Sequence, residues 1–160
     1  QNQLQLFKVN KEGNRVNKSR RFPADYCCKF EFNKNILFLK TAYHKKNLKF
    51  CFDTGAETNV IDRFAPKDLI NSITITRRAT LHGAGSSTSE VLFGNMSDLP
   101  LGDIKFSNME TIITNLDALS EAYGTKIDGM LGYSFLSKGV ICINFVKKEF
   151  TISLNKADQE

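Results

Sequence analysis

The sequence predicts an all-β fold with one or two short helices. Three observations carry that expectation. Apolar or alternating segments of strand length recur along the whole chain, most of them rich in Phe, Ile, Val and Thr. Clusters of Gly, Asn, Asp and Lys separate them at hairpin spacing. Helical signals are confined to two or three brief stretches, with no internal repeat and no low-complexity linker.

Taken in order, LQLFKV (4–9) and residues 14–17 flank Lys11-Glu12-Gly13-Asn14 and predict a hairpin. NKSRRFP (17–23) predicts a polar connection, and CKFEFN (28–33) a half-buried strand. ILFLKTAYHKKNLKFCF (36–52) divides at His44-Lys45-Lys46-Asn47 into a second hairpin, whose later strand ends at Asp53. IDRFAPKDLIN (61–71) supplies a first helical turn, with Pro66 near its start. Residues 72–93 form two β-rich arms around Gly83-Ala84-Gly85-Ser86-Ser87, and 95–115 a turn and two more strands. LDALSEAYG (116–124) predicts a short helix with Gly124 as its stop. Residues 126–153 hold an apolar strand, a Gly turn, a helix over 133–137 and a last hairpin around Lys147-Lys148.

At 160 residues the chain is most simply one domain, long enough to bury a core. Hydrophobic content of 41% and charged content of 24% are ordinary for a globular protein. The net charge of +5 is scattered apart from Lys18-Ser19-Arg20-Arg21, so it reads as a solvated surface and no nucleic-acid partner is expected. No apolar run reaches membrane-spanning length. The first residue is Gln1, which fits a trimmed N-terminus and, with the basic surface, leans towards a cell-envelope, periplasmic or secreted setting. Cys27, Cys28, Cys51 and Cys142 match no zinc spacing, and Cys51 and Cys142 read as buried thiols.

The stretch that carries chemistry is KFCFDTGAETNVID (49–62). Asp53 emerges from an apolar strand, where a carboxylate incurs a desolvation cost. Gly55 permits close backbone approach, and Thr54 offers an orienting hydroxyl. The same three residues also make a good turn after a strand, so alone they leave both roles open. Other chemistries have less to stand on. With two histidines, His44 at a hairpin turn and His82 beside the Gly-rich tip, there is no nucleophile elbow, and Cys51 on an inward strand is a poor nucleophile. No phosphate loop or metal-ligand cluster occurs.

FDTGAETNVID resembles the active-site motif of the retropepsin-like aspartic proteases. Cys51-Phe52 stand as the apolar pair, Asp53-Thr54-Gly55-Ala56 as the signature, Glu57 as the acidic position and Val60-Ile61 as the following strand. DGMLGYSFLSKGVICINF (128–145) resembles the family's second element, with Met130-Leu131-Gly132 before a short helix and strand, and LHGAGSS (81–87) sits where the flap belongs. The wording looks closer to bacterial single-lobe members and pepsin-like halves than to retroviral enzymes. The resemblance implies a closed or partly open acid-protease barrel with one or two short helices and a flap hairpin. Its domain would span 31–154, after an N-terminal extension or packed hairpin (1–30) and before a polar tail (155–160).

It also implies an endopeptidase that uses no cofactor or metal, acting on extended peptide or protein substrates through two aspartates that share a proton and titrate as a unit. No second Asp-Thr-Gly or Asp-Ser-Gly exists in the chain, so a twofold homodimer is expected to supply a second Asp53. By resemblance, Asp53, Thr54 and Gly55 are catalytic: Asp53 activates water, Thr54 braces the paired loops and Gly55 accepts close substrate approach. Ala56, Glu57, the flap residues Gly83, Ala84 and Gly85, and the floor residues Met130 and Leu131 would bind substrate. Two departures stand out. Tyr133 follows Gly132 where retroviral enzymes carry Arg, and the chain runs past Asn144-Phe145 into another predicted strand. The alternative is a non-catalytic peptide-binding module on the same fold.

Overall fold

The computed structural model describes residues 5–16, 22–82 and 88–155. Among the described residues, thirteen strands and three short helices follow one another as β1 (Tyr26–Lys29), β2 (Glu31–Asn33), β3 (Ile36–Tyr43), β4 (Lys46–Phe52), β5 (Asn59–Asp62), α1 (Lys67–Asn71), β6 (Ile73–His82), β7 (Thr88–Met96), β8 (Leu99–Leu101), β9 (Ile104–Phe106), β10 (Met109–Thr114), α2 (Asp117–Tyr123), β11 (Gly129–Leu131), α3 (Tyr133–Leu136), β12 (Gly139–Asn144) and β13 (Glu149–Leu154). Eight strands make one sheet in the order β2-β3-β4-β11-β5-β10-β7-β6, β1-β13-β12 make a second, and β8-β9 a ribbon. The sheets are open, with β2 and β6 as edges of the large one, so the closed form of the expected barrel is not what the chain adopts.

The hairpin signals translate directly. The turns at Lys34-Asn35, His44 and Lys148 all adopt positive φ, the conformation that lets strands reverse tightly. Gly124 closes α2 at φ 68°, the left-handed cap its position foretold. Three expectations change in detail. Residues 28–33 split at buried Phe30 into β1 and β2, which join different sheets. Residues 95–115 hold three strands where two were expected. The N-terminal hairpin is reduced, among the described residues, to a Val9–Arg15 bridge. That segment packs on the β12–β13 turn, where Asn144 donates to the Gly13 carbonyl at 2.7 Å and Lys147 to Asn14 Oδ1 at 2.8 Å. β1 pairs with β13 along its whole length.

The core has two parts because the large sheet has two covered faces. On one face Leu37, Leu39, Phe50, Ile61, Leu131, Met109 and Ile113 pack with Phe135 and Phe150. Phe135 is fully buried against Phe106 (ring centroids 5.0 Å apart) and Phe150 (6.3 Å), which pins α3 to the core. Truncating such a ring to Ala removes about 3–5 kcal/mol of stability. On the opposite face Phe38, Cys51, Leu116 and Ile127 form a smaller cluster, joined by the partly open Ile36, Val60, Leu119, Tyr123 and Met130.

Candidate active site

Register decides which side chains meet. Residues directly opposite one another on paired strands share a face. Phe38 is opposite Cys51, Cys51 opposite Met130, Met130 opposite Val60, Val60 opposite Ile112, Ile112 opposite Phe93, and Phe93 opposite Arg77. One row therefore crosses the sheet on the face of the smaller cluster. Asp53 lies two residues beyond Cys51, at the end of β4.

The backbone holds Asp53 from both sides. β4 runs parallel to β11, and the Asp53 amide donates to the Leu131 carbonyl at 3.0 Å, one step past the last ladder pair. Its Oδ1 accepts the Gly55 amide at 2.8 Å, and its carbonyl accepts the Ala56 amide at 3.4 Å. The loop is then stitched to the start of α3: Tyr133 donates to the Ala56 carbonyl at 2.8 Å and Ser134 to the Glu57 carbonyl at 3.2 Å. Buried Asn59 completes the frame, its Oδ1 accepting the Gly132 amide at 3.0 Å and its amide nitrogen lying 3.5 Å from the Met109 sulfur.

Two glycines of Gly129-Met130-Leu131-Gly132 are explained by this closeness. A Cβ at Gly132 would sit 2.7 Å from the Ala56 carbonyl oxygen and press on that of Thr58; one at Gly129 would sit 2.6 Å from the Val60 oxygen. Only a residue without a side chain lets three backbones approach so nearly.

Asp53 is half-buried and enters no ion pair among the described residues. On its side of the sheet lies the smaller apolar cluster, with Cys51, Val60, Tyr123 and Met130. Burial, with Asp53 nearby, pushes the Cys51 thiol up to about 11, which leaves it protonated and unfit as a nucleophile at neutral pH. Burial raises the Tyr123 phenol as well, with smaller contributions from Cys51 and Asp53. Tyr123 stands edge-on to Phe38 at 6.0 Å, so α2 walls this side of the site.

The structure brings Asp53, Thr54, Gly55, Ala56 and Glu57 into one loop, with Thr54, Gly55 and Glu57 exposed. Glu57 lines a cleft of about 260 Å³ with Asn108, Glu110, Tyr133, Ser134, Ser137 and Lys138. Met130 lies on the Asp53 face, but Leu131 turns the other way and is buried in the main core. Leu131 serves the site through its carbonyl, because neighbours on a strand face opposite ways. Gly83, Ala84 and Gly85 lie outside the described residues, between β6 and β7. Sequence reasoning missed Asn59, Leu119, Tyr123, Ile112, Phe93 and Arg77. An Asn inside an apolar strand was the one available signal, since the others are placed by cross-strand register.

Among the described residues no group of three or more His, Cys, Asp or Glu is disposed to hold a metal ion, and no helix is long and apolar enough to cross a membrane. All four cysteines are free thiols.

Comparison with curated protein sequences finds no match. Among solved structures, a retropepsin-like aspartic protease from Rickettsia conorii is similar at 16% identity and a TM-score of 0.49, covering 79% of this chain and 98% of that one. The aspartyl protease family matches residues 40–135, more than half of the chain, from within β3 into α3. The chain belongs to the aspartyl protease family.

Proposed function

We propose that two copies of this chain assemble about a twofold axis into an aspartic endopeptidase, each contributing one Asp53 to a shared dyad. The observation that carries this is the state of Asp53. Its backbone is clamped by β11 and the α3 loop, yet its carboxylate meets one amide and no charged partner among the described residues. A rigid carboxylate on an open, largely apolar face is half of an acid–base pair. With a second copy alongside, two carboxylates a few ångströms apart would hold one proton between them. One then accepts a proton from water while the other donates to the scissile carbonyl. Thr54 would brace the paired loops, Gly55 and Ala56 would meet the peptide backbone, Glu57 would hold it further out, and the β6–β7 hairpin would cover it as a flap.

A second possibility, a peptide-binding module without catalysis, draws on one feature. β13, which follows the Asn144-Phe145 at which the retroviral chains end, pairs with β12 on one side and β1 on the other. The two are separated by light scattering over a concentration series at pH 5 and pH 7.5, paired with peptide cleavage. A dimer that cleaves peptides, and loses cleavage in Asp53→Asn while keeping its mass, supports the enzyme. A persistent monomer that binds peptides without cleaving them supports the module.

A further inference from the structure

The row of side chains on the Asp53 face does not end in apolar residues. Its last member is Arg77, whose guanidinium lies 3.9 Å from the centroid of the Phe93 ring. A local irregularity puts it there. β6 and β7 pair regularly up to Ile75 opposite Gly94, and the register then shifts so that Arg77, not Thr76, opposes Phe93. The Thr76 hydroxyl donates to the Phe93 carbonyl at 3.3 Å across the bulge. Ile75 belongs with Gly94 and Leu92 to the other face of the sheet. Without the extra residue Arg77 would follow Ile75 onto that face; with it, Arg77 joins Phe93, Ile112, Val60 and Met130. Bulges of this kind re-aim side chains and are common near functional sites.

The two adjacent arginines are used differently. Arg78 points to the opposite face and reaches Glu90 at 3.6 Å. Arg77 has no carboxylate partner among the described residues and is exposed. It stands where β10 stops pairing with β7, so it marks the base of the projecting hairpin. From Met130 to Arg77 is four strand spacings, at most about 19 Å, the span of no more than about six extended residues.

We propose that Arg77 is a specificity-determining residue that receives an acidic side chain of an extended peptide, several residues away from the bond held at Asp53. This rests on the peptide-binding role proposed above, but on neither dimerisation nor catalysis. The ring of Phe93 orients the guanidinium, and the apolar row between fixes the distance at which the acidic residue is felt.

The test uses the 160-residue chain carrying Asp53→Asn and fluorescence anisotropy with twelve-residue peptides. Each has an apolar central pair and a single Glu, Gln or Lys walked through positions three to six on either side. Binding should be about threefold tighter for Glu than for Gln at one position on one side, and that preference should weaken with salt. Arg77→Ala should erase it, Arg77→Glu should invert it in favour of Lys, and Arg78→Ala should leave it intact. Equal binding of Glu and Gln everywhere, a preference that survives Arg77→Glu, or no binding of any peptide overturns the proposal. Cleavage of the same peptides by the chain with Asp53 intact is scored separately. Charge preference without cleavage sinks the endopeptidase and spares Arg77, and cleavage without charge preference does the reverse.

Discussion

An aspartate stands at the C-terminal end of two strands of the large sheet, Asp53 directly after β4 and Asp62 as the last residue of β5, and the two carboxylates are treated in opposite ways. Asp53 closes β4 half-buried, with one amide on Oδ1 and no cation. Asp62 closes β5 fully buried, with the Leu116 amide on Oδ1 at 3.2 Å and Lys126 on Oδ2. Lys126 also lies 3.8 Å from Asp117, so it ties β5 to the start of α2. In sequence the two are nearly alike, each an Asp after a short apolar run. Asp62 is neutralised and fully bonded, as a buried structural carboxylate must be. Asp53 is held rigidly and left unfinished, as the catalytic role proposed for it requires.

Mutation separates the two carboxylates. The largest effect expected is on rate. Asp53→Asn should lower peptide cleavage by about 10³-fold or more while moving the denaturant midpoint by less than about 1 kcal/mol equivalent, because only one exposed hydrogen bond changes. Asp62→Ala should do the converse at the level of folding, costing about 2–4 kcal/mol by urea titration, since it empties a buried site and strands the Leu116 amide. A mutant pair with these outcomes exchanged would erase the distinction.

Next in size is Gly132→Ala. The added methyl meets two carbonyl oxygens of the Asp53–Thr58 loop, so about 2–3 kcal/mol of stability should be lost and the loop displaced from α3. Unchanged stability would mean that the loop is not clamped as described. A smaller, purely chemical contrast separates the thiols. At pH 8 iodoacetamide should label exposed Cys27 well before Cys51, which is buried and pushed up to about 11. Equal labelling rates, followed by mass spectrometry of tryptic peptides, would show the Asp53 face to be open at its floor.

The smallest effect concerns Lys126. Its ammonium is held above the ordinary lysine value, first by its hydrogen bond to Asp62. A raised pKa in the folded chain means that this contribution is whole below the unfolded lysine value and disappears as pH rises through the folded one. Lys126 is about half exposed, so the gain is modest. Stability should therefore decline faster above about pH 10.5 in the native chain than in Lys126→Met, which lacks the contribution at every pH.

Much of this was legible beforehand because local chemistry dictated it. Turn residues announced the hairpins, Gly124 announced the end of α2, and Asp-Thr-Gly-Ala announced the loop. What was not legible depends on pairing between distant segments. Leu131 and Met130 are equivalent as letters, and only the β4–β11 register sends one to the core and the other to the site. Lys126 gives no hint of Asp62, which lies 64 residues earlier. The β6 bulge that turns Arg77 towards Phe93 follows from a one-residue mismatch with β7, which no periodicity in RRATLH discloses.

The central claim is that the catalytic unit needs Asp53 from two chains. Mixing native chain with Asp53→Asn at fixed total concentration, allowing subunits to exchange, and measuring cleavage against the native fraction decides this. A shared dyad predicts that activity falls with the square of that fraction, so an equal mixture retains about one quarter. Activity that falls linearly, retaining about half, would place a complete site in each chain and contradict the account.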